Sequence, residues 1–210
     1  MNPPLLVLLP GIWLPQATLI VLARRLKARG FRIRLFRYST LHESSEQVLR
    51  RLAELCREIQ PSGIVGHSLG GLFAVAAIAA HELSVPRAVC LGSPLRGSAV
   101  ARALARSPIT KPSLGRHARL LIEGLAQAPS HCEVGVIAGE LPIGIGLFLP
   151  SLPHPHDGVV SIAETELPGI RDHLRLRLNH SGLLLSPLAA RAAGAFITEG
   201  SFASLRRGPA

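Results

Sequence analysis

The sequence predicts an α/β protein, with a mostly parallel sheet of about six strands and helices on both of its faces. Short apolar runs alternate with longer amphipathic segments along the 210 residues, which is typical of strands joined by crossover helices. Hydrophobic residues make up 48% of the chain and charged residues 17%, enough apolar surface for one substantial core. We expect a single domain over residues 1–199 and a loose tail over residues 200–210.

Six short apolar runs are the predicted strands. Their length and their content of Leu, Ile, Val and Ala fit strands that are buried on both faces. They are Leu5–Leu9, Arg32–Phe36, Gly63–Gly66, Ala88–Gly92, Val134–Ala138 and Leu174–Leu178.

Three segments between these strands have the pattern of helices. Residues 17–29 and 43–59 repeat apolar side chains at helical spacing, and the second begins with a possible capping box, Ser44 with Gln47. Residues 69–81 are apolar on nearly every side, so this helix should be buried against the sheet.

Two further segments are irregular. Residues 97–128 are helical in pattern but interrupted by Pro108, Pro112 and Gly115, which indicates an inserted flap. Residues 141–156 are strongly apolar yet too rich in Pro and Gly for a helix. An exposed apolar loop of this kind indicates a bound ligand or partner.

The chain carries a net charge of +10, almost entirely from arginine, because Lys27 and Lys111 are its only lysines. The arginine pairs at 24–25, 50–51 and 206–207 have no aromatic residues interleaved with them, so the charge does not indicate nucleic-acid binding. It favours loose attraction to acidic lipid surfaces or anionic substrates, with at most peripheral contact with a membrane.

The cysteines and the first apolar run bear on location and cofactors. Residues 4–9 lack a preceding basic region and a following cleavage site, and they are too short to span a bilayer. Cys56, Cys90 and Cys132 are odd in number and widely spaced, as expected for buried reduced thiols rather than disulfides or a zinc site. We expect a cytoplasmic protein without a metal or other cofactor.

A nucleophile is predicted where the third strand meets the buried helix. The segment 66–70 reads Gly-His-Ser-Leu-Gly, the pattern of a nucleophile elbow, in which flanking glycines let strand and helix approach closely around a strained serine. Ser68 would then project at the carboxyl end of its strand, where ligands gather in open parallel sheets. We therefore interpret Ser68 as a catalytic nucleophile.

A serine hydroxyl needs a base, and the base needs an acid that orients it. In this architecture both follow the serine along the chain, at later strand ends. His180, directly after the last strand, is the predicted base. Asp157, in an Asp-Gly turn that can aim its carboxylate, is the favoured acid. Glu140, close behind the fifth strand, is the open alternative, whereas Asp172 precedes the last strand and lies at the wrong edge.

Two backbone N–H groups should bind the oxyanion of the reaction. Leu69, the residue after the nucleophile, supplies one. Ile12, in the loop after the first strand, is the best candidate for the other, with Trp13 close behind. Pro10 has no N–H and would stiffen the turn.

The four segments 6–13, 65–71, 157–160 and 179–182 together resemble the α/β-hydrolase superfamily. The resemblance is to its small bacterial lipases and esterases, including proteins similar to the GPI inositol-deacylase type. It implies an α/β-hydrolase fold and a cofactor-free Ser-His-Asp acyl hydrolase. The chain is too short for a large lid domain. Pro10 stands where the family commonly has histidine, so the loop would be held by the rigidity of proline instead.

The predicted function is hydrolysis of carboxylic esters through an acyl-enzyme on Ser68. The substrate would be a small acyl ester or a lipid, with Trp13, Leu147 and Phe148 lining the acyl site. A thioesterase or acyltransferase with the same triad is the alternative, and a binding scaffold without activity is a further one. The sequence does not predict the oligomeric state.

Overall fold

The sheet lies at the centre of a computed structural model that describes residues 3–12, 16–144 and 152–206. Among these residues it contains six strands, all parallel, in the order β2-β1-β3-β4-β5-β6. The strands are β1 (Leu5–Leu9), β2 (Arg32–Leu35), β3 (Gly63–His67), β4 (Arg87–Leu91), β5 (Glu133–Gly139) and β6 (Asp172–Leu176).

Helices connect the strands and cover both faces of the sheet. They are α1 (Gln16–Lys27), α2 (Ser45–Ile59), α3 (Leu69–His81), α4 (Ala99–Ala105), α5 (Ala118–Glu123), α6 (Ile162–Thr165), α7 (Gly182–Leu185), α8 (Pro187–Glu199) and α9 (Ala203–Arg206), with a 3-10 helix at Lys111–His117. The predicted fold class is confirmed, and no large lid domain occurs among the described residues.

Two apolar cores form because successive residues of a strand point to opposite faces of the sheet. Val7 belongs to the core beneath α2, α3 and the flap, whereas the next residue, Leu8, belongs to the core beneath α1 and α8. Both side chains are fully buried. The helix predicted to be buried, α3, contributes ten buried residues to this packing, which explains its lack of a polar face.

The strand order creates a crevice at the carboxyl ends of β1 and β3. From β1 the chain first moves outward to β2 and then returns to β3 on the other side of β1, and such a reversal is where ligands bind in open α/β sheets. Leu9 is in register with Gly66. The loop that follows β1 therefore lies beside the turn that follows β3.

Residues 200–206, the first part of the predicted tail, pack against the sheet. Phe202 is fully buried and its ring centroid lies 5.0 Å from that of Phe196. Asp172 accepts a hydrogen bond from the Phe202 N–H at 2.7 Å and pairs with Arg206 at 2.6 Å. A single buried aromatic and one carboxylate thus fix residues 200–206 to β6, while residues 207–210 lie outside the described residues.

Replacing Phe202 with alanine should destabilise the fold, because the substitution leaves a cavity beside Phe196. We expect the free energy of unfolding to fall by about 3–5 kcal/mol in urea denaturation. Ile109→Ala, at a side chain that is 88% exposed, is the matched control and should change it by less than about 0.5 kcal/mol. A loss below about 1 kcal/mol in Phe202→Ala would mean that this segment is loose after all.

Candidate active site

Ser68 has a strained backbone conformation between β3 and α3. Its φ and ψ are 53° and −122°, a combination that costs roughly 1–3 kcal/mol in a residue with a side chain. Its N–H donates to the Leu91 carbonyl at 2.9 Å, which ties the turn to β4. The residue is 5% exposed, so the turn holds the serine at the strand end with little access to bulk water.

Glycines around Ser68 allow three segments of backbone to meet. A Cβ at Gly66 would collide with the backbone of Gly70, and a Cβ at Gly70 would lie 2.5 Å from the Pro10 carbonyl oxygen. A Cβ at Gly11 would lie 2.9 Å from the Cβ of Ser68. Only glycine permits these approaches, and they place the loop after β1 directly against Ser68.

The two predicted oxyanion donors come from the segments that meet here. Leu69 is the first residue of α3, so its N–H has no acceptor within the helix. Ile12 follows Gly11, which touches Ser68, and it is half-buried. Leu69 thus adjoins the serine and Ile12 directly follows the close approach at Gly11, whereas Trp13 lies outside the described residues.

Tyr38 is a member of the site that the sequence did not reveal. Its hydroxyl donates to the Pro10 carbonyl at 2.9 Å, and its ring meets Phe73 edge-on with centroids 4.9 Å apart. Burial raises the pKa of its phenol well above the ordinary value, so the hydroxyl keeps its proton and remains a donor. Tyr38 thereby anchors the loop that contains Pro10.

His180 and Asp157 form a buried hydrogen-bonded pair. His180 Nδ1 lies 2.7 Å from Asp157 Oδ2, and the His180 N–H donates to the Asp157 carbonyl at 2.9 Å. The other carboxylate oxygen accepts the N–H groups of Val159 and Val160 at 2.9 and 2.7 Å. The Asp-Gly turn therefore aims one oxygen at the imidazole and uses the other to hold its own shape.

The two rival carboxylates occupy other positions. Glu140 follows β5 directly and is half-buried, but among the described residues its carboxylate makes no hydrogen bond to His180, and only its N–H is used, toward the Leu176 carbonyl. Asp172 begins β6, at the opposite edge of the sheet from His180, and is engaged by Arg206. The carboxylate that lies against the imidazole is that of Asp157.

His67 contacts His180 from the other side. The two ring centroids are 4.5 Å apart, and His67 Nε2 lies 3.0 Å from the His180 carbonyl oxygen. A carbonyl only accepts, so Nε2 carries the proton. Burial, followed by the proximity of His180, holds the pKa of His67 well below its usual range. Both backbone groups of His180 are thus fixed, the N–H by Asp157 and the carbonyl by His67.

Gly92 is a second site residue that the sequence did not reveal. Its φ is +53°, and a Cβ there would lie 2.9 Å from Asp157 Oδ2 and 3.1 Å from His180 Nδ1. A side chain at this position would push into the hydrogen bond between them. The sequence feature that could have revealed this residue is a glycine at the end of the fourth apolar run, at the sheet edge that also carries Ser68.

Several predicted features are not described at this site. Trp13, Leu147 and Phe148, expected to line the acyl site, lie outside the described residues. Within residues 3–12, 16–144 and 152–206, no group of three His, Cys, Asp or Glu side chains is placed to hold a metal ion. In those same ranges no helix is long and apolar enough to cross a membrane. Cys56, Cys90 and Cys132 are unpaired and buried.

Solved structures with the same fold place this arrangement in context. The lipase BlEst2 of Bacillus licheniformis superposes with a TM-score of 0.77 in its propeptide form, at 18% identity over 94% of this chain and 50% of that one. The mature form of the same lipase gives a TM-score of 0.72 at 16% identity, over 94% of this chain and 91% of that one. The chain thus spans half of the propeptide form and nearly all of the mature form.

Two further structures are similar. Alpha/beta hydrolase domain-containing protein 10 from mouse gives a TM-score of 0.63 at 14% identity, over 93% of this chain and 88% of that one. The thioesterase domain from the curacin biosynthetic pathway gives a TM-score of 0.55 at 17% identity, over 94% of this chain and 92% of that one. No family model matches the sequence, and the search of curated proteins found no match. The chain has the α/β-hydrolase fold.

The buried, neutral His67 should make stability depend on pH. The pKa of its imidazole is lower in the folded protein than the ordinary value of about 6.5, so unfolding takes up a proton at any pH between the two values. The free energy of unfolding should therefore fall as the pH drops below about 6.5, by up to about 1.4 kcal/mol per pH unit from this one group.

His67→Gln isolates this contribution, since a glutamine amide can still donate to the His180 carbonyl. Urea denaturation at pH 7 and pH 5 should show a smaller loss of stability on acidification in the variant than in the wild type. An equal loss in the two proteins would contradict the assignment of a neutral, buried imidazole at this position.

Proposed function

We propose that the protein is a serine hydrolase that cleaves carboxylic esters through an acyl-enzyme on Ser68. The observation that carries the proposal is the buried Asp157–His180 pair beside the elbow, with its 2.7 Å hydrogen bond. The ring of His180 contacts the ring of His67, the residue that directly precedes the serine, with centroids 4.5 Å apart. A nucleophile on a strained turn, a base and an oriented acid are the groups that acyl transfer needs.

The reaction would use each group in turn. Asp157 accepts a hydrogen bond from the Nδ1–H of His180 and so leaves Nε2 free as the base. Nε2 takes the proton of the Ser68 hydroxyl while the serine oxygen attacks the ester carbonyl. Ile12 and Leu69 would donate their N–H groups to the oxyanion. The protonated imidazole then gives its proton to the leaving alcohol, and water repeats the sequence on the acyl-enzyme to release the acid.

The proposed substrate class is based on the predicted acyl-binding residues. Trp13, Leu147 and Phe148 remain the predicted acyl-binding residues, and their apolar character favours a hydrophobic acyl group on a small ester or a lipid. The similarity in fold to a lipase is in keeping with this. The narrower likeness to proteins of the GPI inositol-deacylase type stays a prediction, as does a cytoplasmic location.

A thioesterase or acyltransferase is the alternative, because the same acyl-enzyme can form from a thioester or pass to an alcohol or amine. The similarity in fold to a thioesterase domain is the observation that favours it. The two reactions separate when matched oxoesters and thioesters of one acyl chain are compared by kcat/KM, and when added alcohols compete with water for the acyl group. A binding scaffold would turn over none of these.

Replacing Asp157 with asparagine should abolish most of the activity while the fold is retained. The amide cannot stabilise the imidazolium and favours the wrong tautomer of His180, so kcat for a short-chain ester such as p-nitrophenyl butyrate should fall by about 10⁴. KM should change little, because the carboxylate does not touch the substrate.

Glu140→Gln is the matched control, since it makes the same carboxylate-to-amide change in the segment after β5. Its kcat should stay within about twofold of the wild type. A large loss in Glu140→Gln with an active Asp157→Asn would transfer the role of the acid to Glu140. Full activity in both variants would rule out a carboxylate-assisted serine mechanism.

A further inference from the structure

The flap between β4 and β5 has an extreme charge composition. Residues 97–122 contain five cationic side chains and no Asp or Glu. The cations are Arg102, Arg106, Lys111, Arg116 and Arg119. The whole flap, residues 97–128, thus carries five of the 23 Lys and Arg residues of the chain and a single acidic residue, Glu123.

Three of these cations form no salt bridge among the described residues, although Arg116 interacts electrostatically with Glu46. Arg102 lies 3.7 Å from Glu164, and Arg119 lies 3.1 Å from Glu123. Arg106, Lys111 and Arg116 are exposed, and none of them takes part in a salt bridge within the described ranges. The charge of Arg106 and Lys111 is therefore available to an external anion.

An apolar side chain stands between two of these cations. Ile109 is 88% exposed, more than any other large hydrophobic residue among those described, and it lies in the turn between α4 and the 3-10 helix. Pro108 precedes it and Pro112 follows three residues later. An exposed isoleucine flanked by cations suits insertion into a charged apolar boundary.

A second exposed apolar side chain adjoins the flap. Leu41 is 66% exposed and lies in the loop after β2. The Arg116 N–H donates to the Thr40 carbonyl at 3.2 Å, and the Arg116 guanidinium donates to the His42 carbonyl at 3.4 Å. Both neighbours of Leu41 are thus held to the flap, and the two segments form one continuous surface.

This surface lies at the edge of the sheet that carries Ser68. The flap leaves the sheet at the carboxyl end of β4, and the Leu41 loop leaves it at the carboxyl end of β2. His117 at the end of the 3-10 helix packs edge-on against Phe73 of α3, with ring centroids 5.0 Å apart. The flap is thereby fixed to the helix that begins at the nucleophile.

We propose that this surface, made of Arg106, Ile109, Lys111, Arg116 and Leu41, docks the protein onto an anionic lipid bilayer. Unpaired cations supply attraction to acidic head groups, and exposed apolar tips enter the boundary between head groups and acyl chains. Residues 97–122 contain no Phe, Trp or Tyr on which nucleic-acid bases could stack. Docking would bring the Ser68 edge to the lipid, and this consequence alone rests on the proposed function.

Sedimentation with vesicles tests the docking surface without any catalysis. The wild type and the inactive Ser68→Ala should both bind vesicles of phosphatidylglycerol and phosphatidylcholine more tightly than vesicles of phosphatidylcholine alone, and salt should weaken the binding. Arg106→Gln with Lys111→Gln should weaken it by about 25-fold, from roughly fivefold per cation. Ile109→Ser should weaken it by about tenfold.

Lys27→Gln with Arg29→Gln is the matched control. It removes one lysine and one arginine at the end of α1, at the opposite edge of the sheet, and should leave vesicle binding within about twofold. Equal losses in the two double variants would overturn the proposal in favour of net charge alone. The proposal would also be overturned if the protein showed no preference for anionic vesicles. It would equally be overturned if the same residues bound duplex DNA, or mediated self-association, without any binding to vesicles.

Hydrolysis of a soluble short-chain ester separates this inference from the proposed function. The flap variants should keep the wild-type kcat/KM on such an ester, because none of their residues lies in the catalytic cluster. Vesicle binding by a protein that hydrolyses no ester would sustain the docking surface and remove the enzyme. Hydrolysis of the ester by a protein that does not bind vesicles would sustain the proposed function and remove the docking surface.

Discussion

The site depends on close backbone contact at the carboxyl ends of β1 and β3. Gly66, Gly70 and Gly11 have no room for a Cβ, and their lack of side chains lets the strand, the buried helix and the loop after β1 meet around Ser68. The strained conformation of the serine persists because α3 is almost wholly buried and cannot shift to relieve it. Replacing any one of these glycines with a larger residue would push the nucleophile and the loop after β1 apart.

Hydrogen bonds between distant parts of the chain hold the remaining groups of the site. His180 is fixed through its N–H by Asp157, through its carbonyl by His67 and through its ring by Asp157 Oδ2. Tyr38 anchors the loop that carries Ile12. Each contact joins strand ends of the same sheet edge, so the parallel topology, rather than any single bond, assembles the candidate triad and the candidate oxyanion donors.

The sequence predicted the six strands and the elbow because both depend on local patterns, apolar runs and a Gly-x-Ser-x-Gly turn. It left Asp157 and Glu140 open, since both follow β5 and only the folded turn shows which carboxylate reaches His180. Tyr38 and Gly92 were missed because their contacts join residues far apart in the chain. The start of β6 was placed two residues late, as Asp172 and His173 hide the strand's apolar pattern, and the packing of Phe202 gave no periodic signal.

An activated Ser68 should react with a fluorophosphonate, and the intact mass of the protein detects the adduct. We expect one adduct per chain in the wild type and none in Ser68→Ala, with both proteins folded by circular dichroism. An adduct that persists in Ser68→Ala, or a folded wild type that remains unlabelled at neutral pH, would contradict the assignment of Ser68 as the nucleophile.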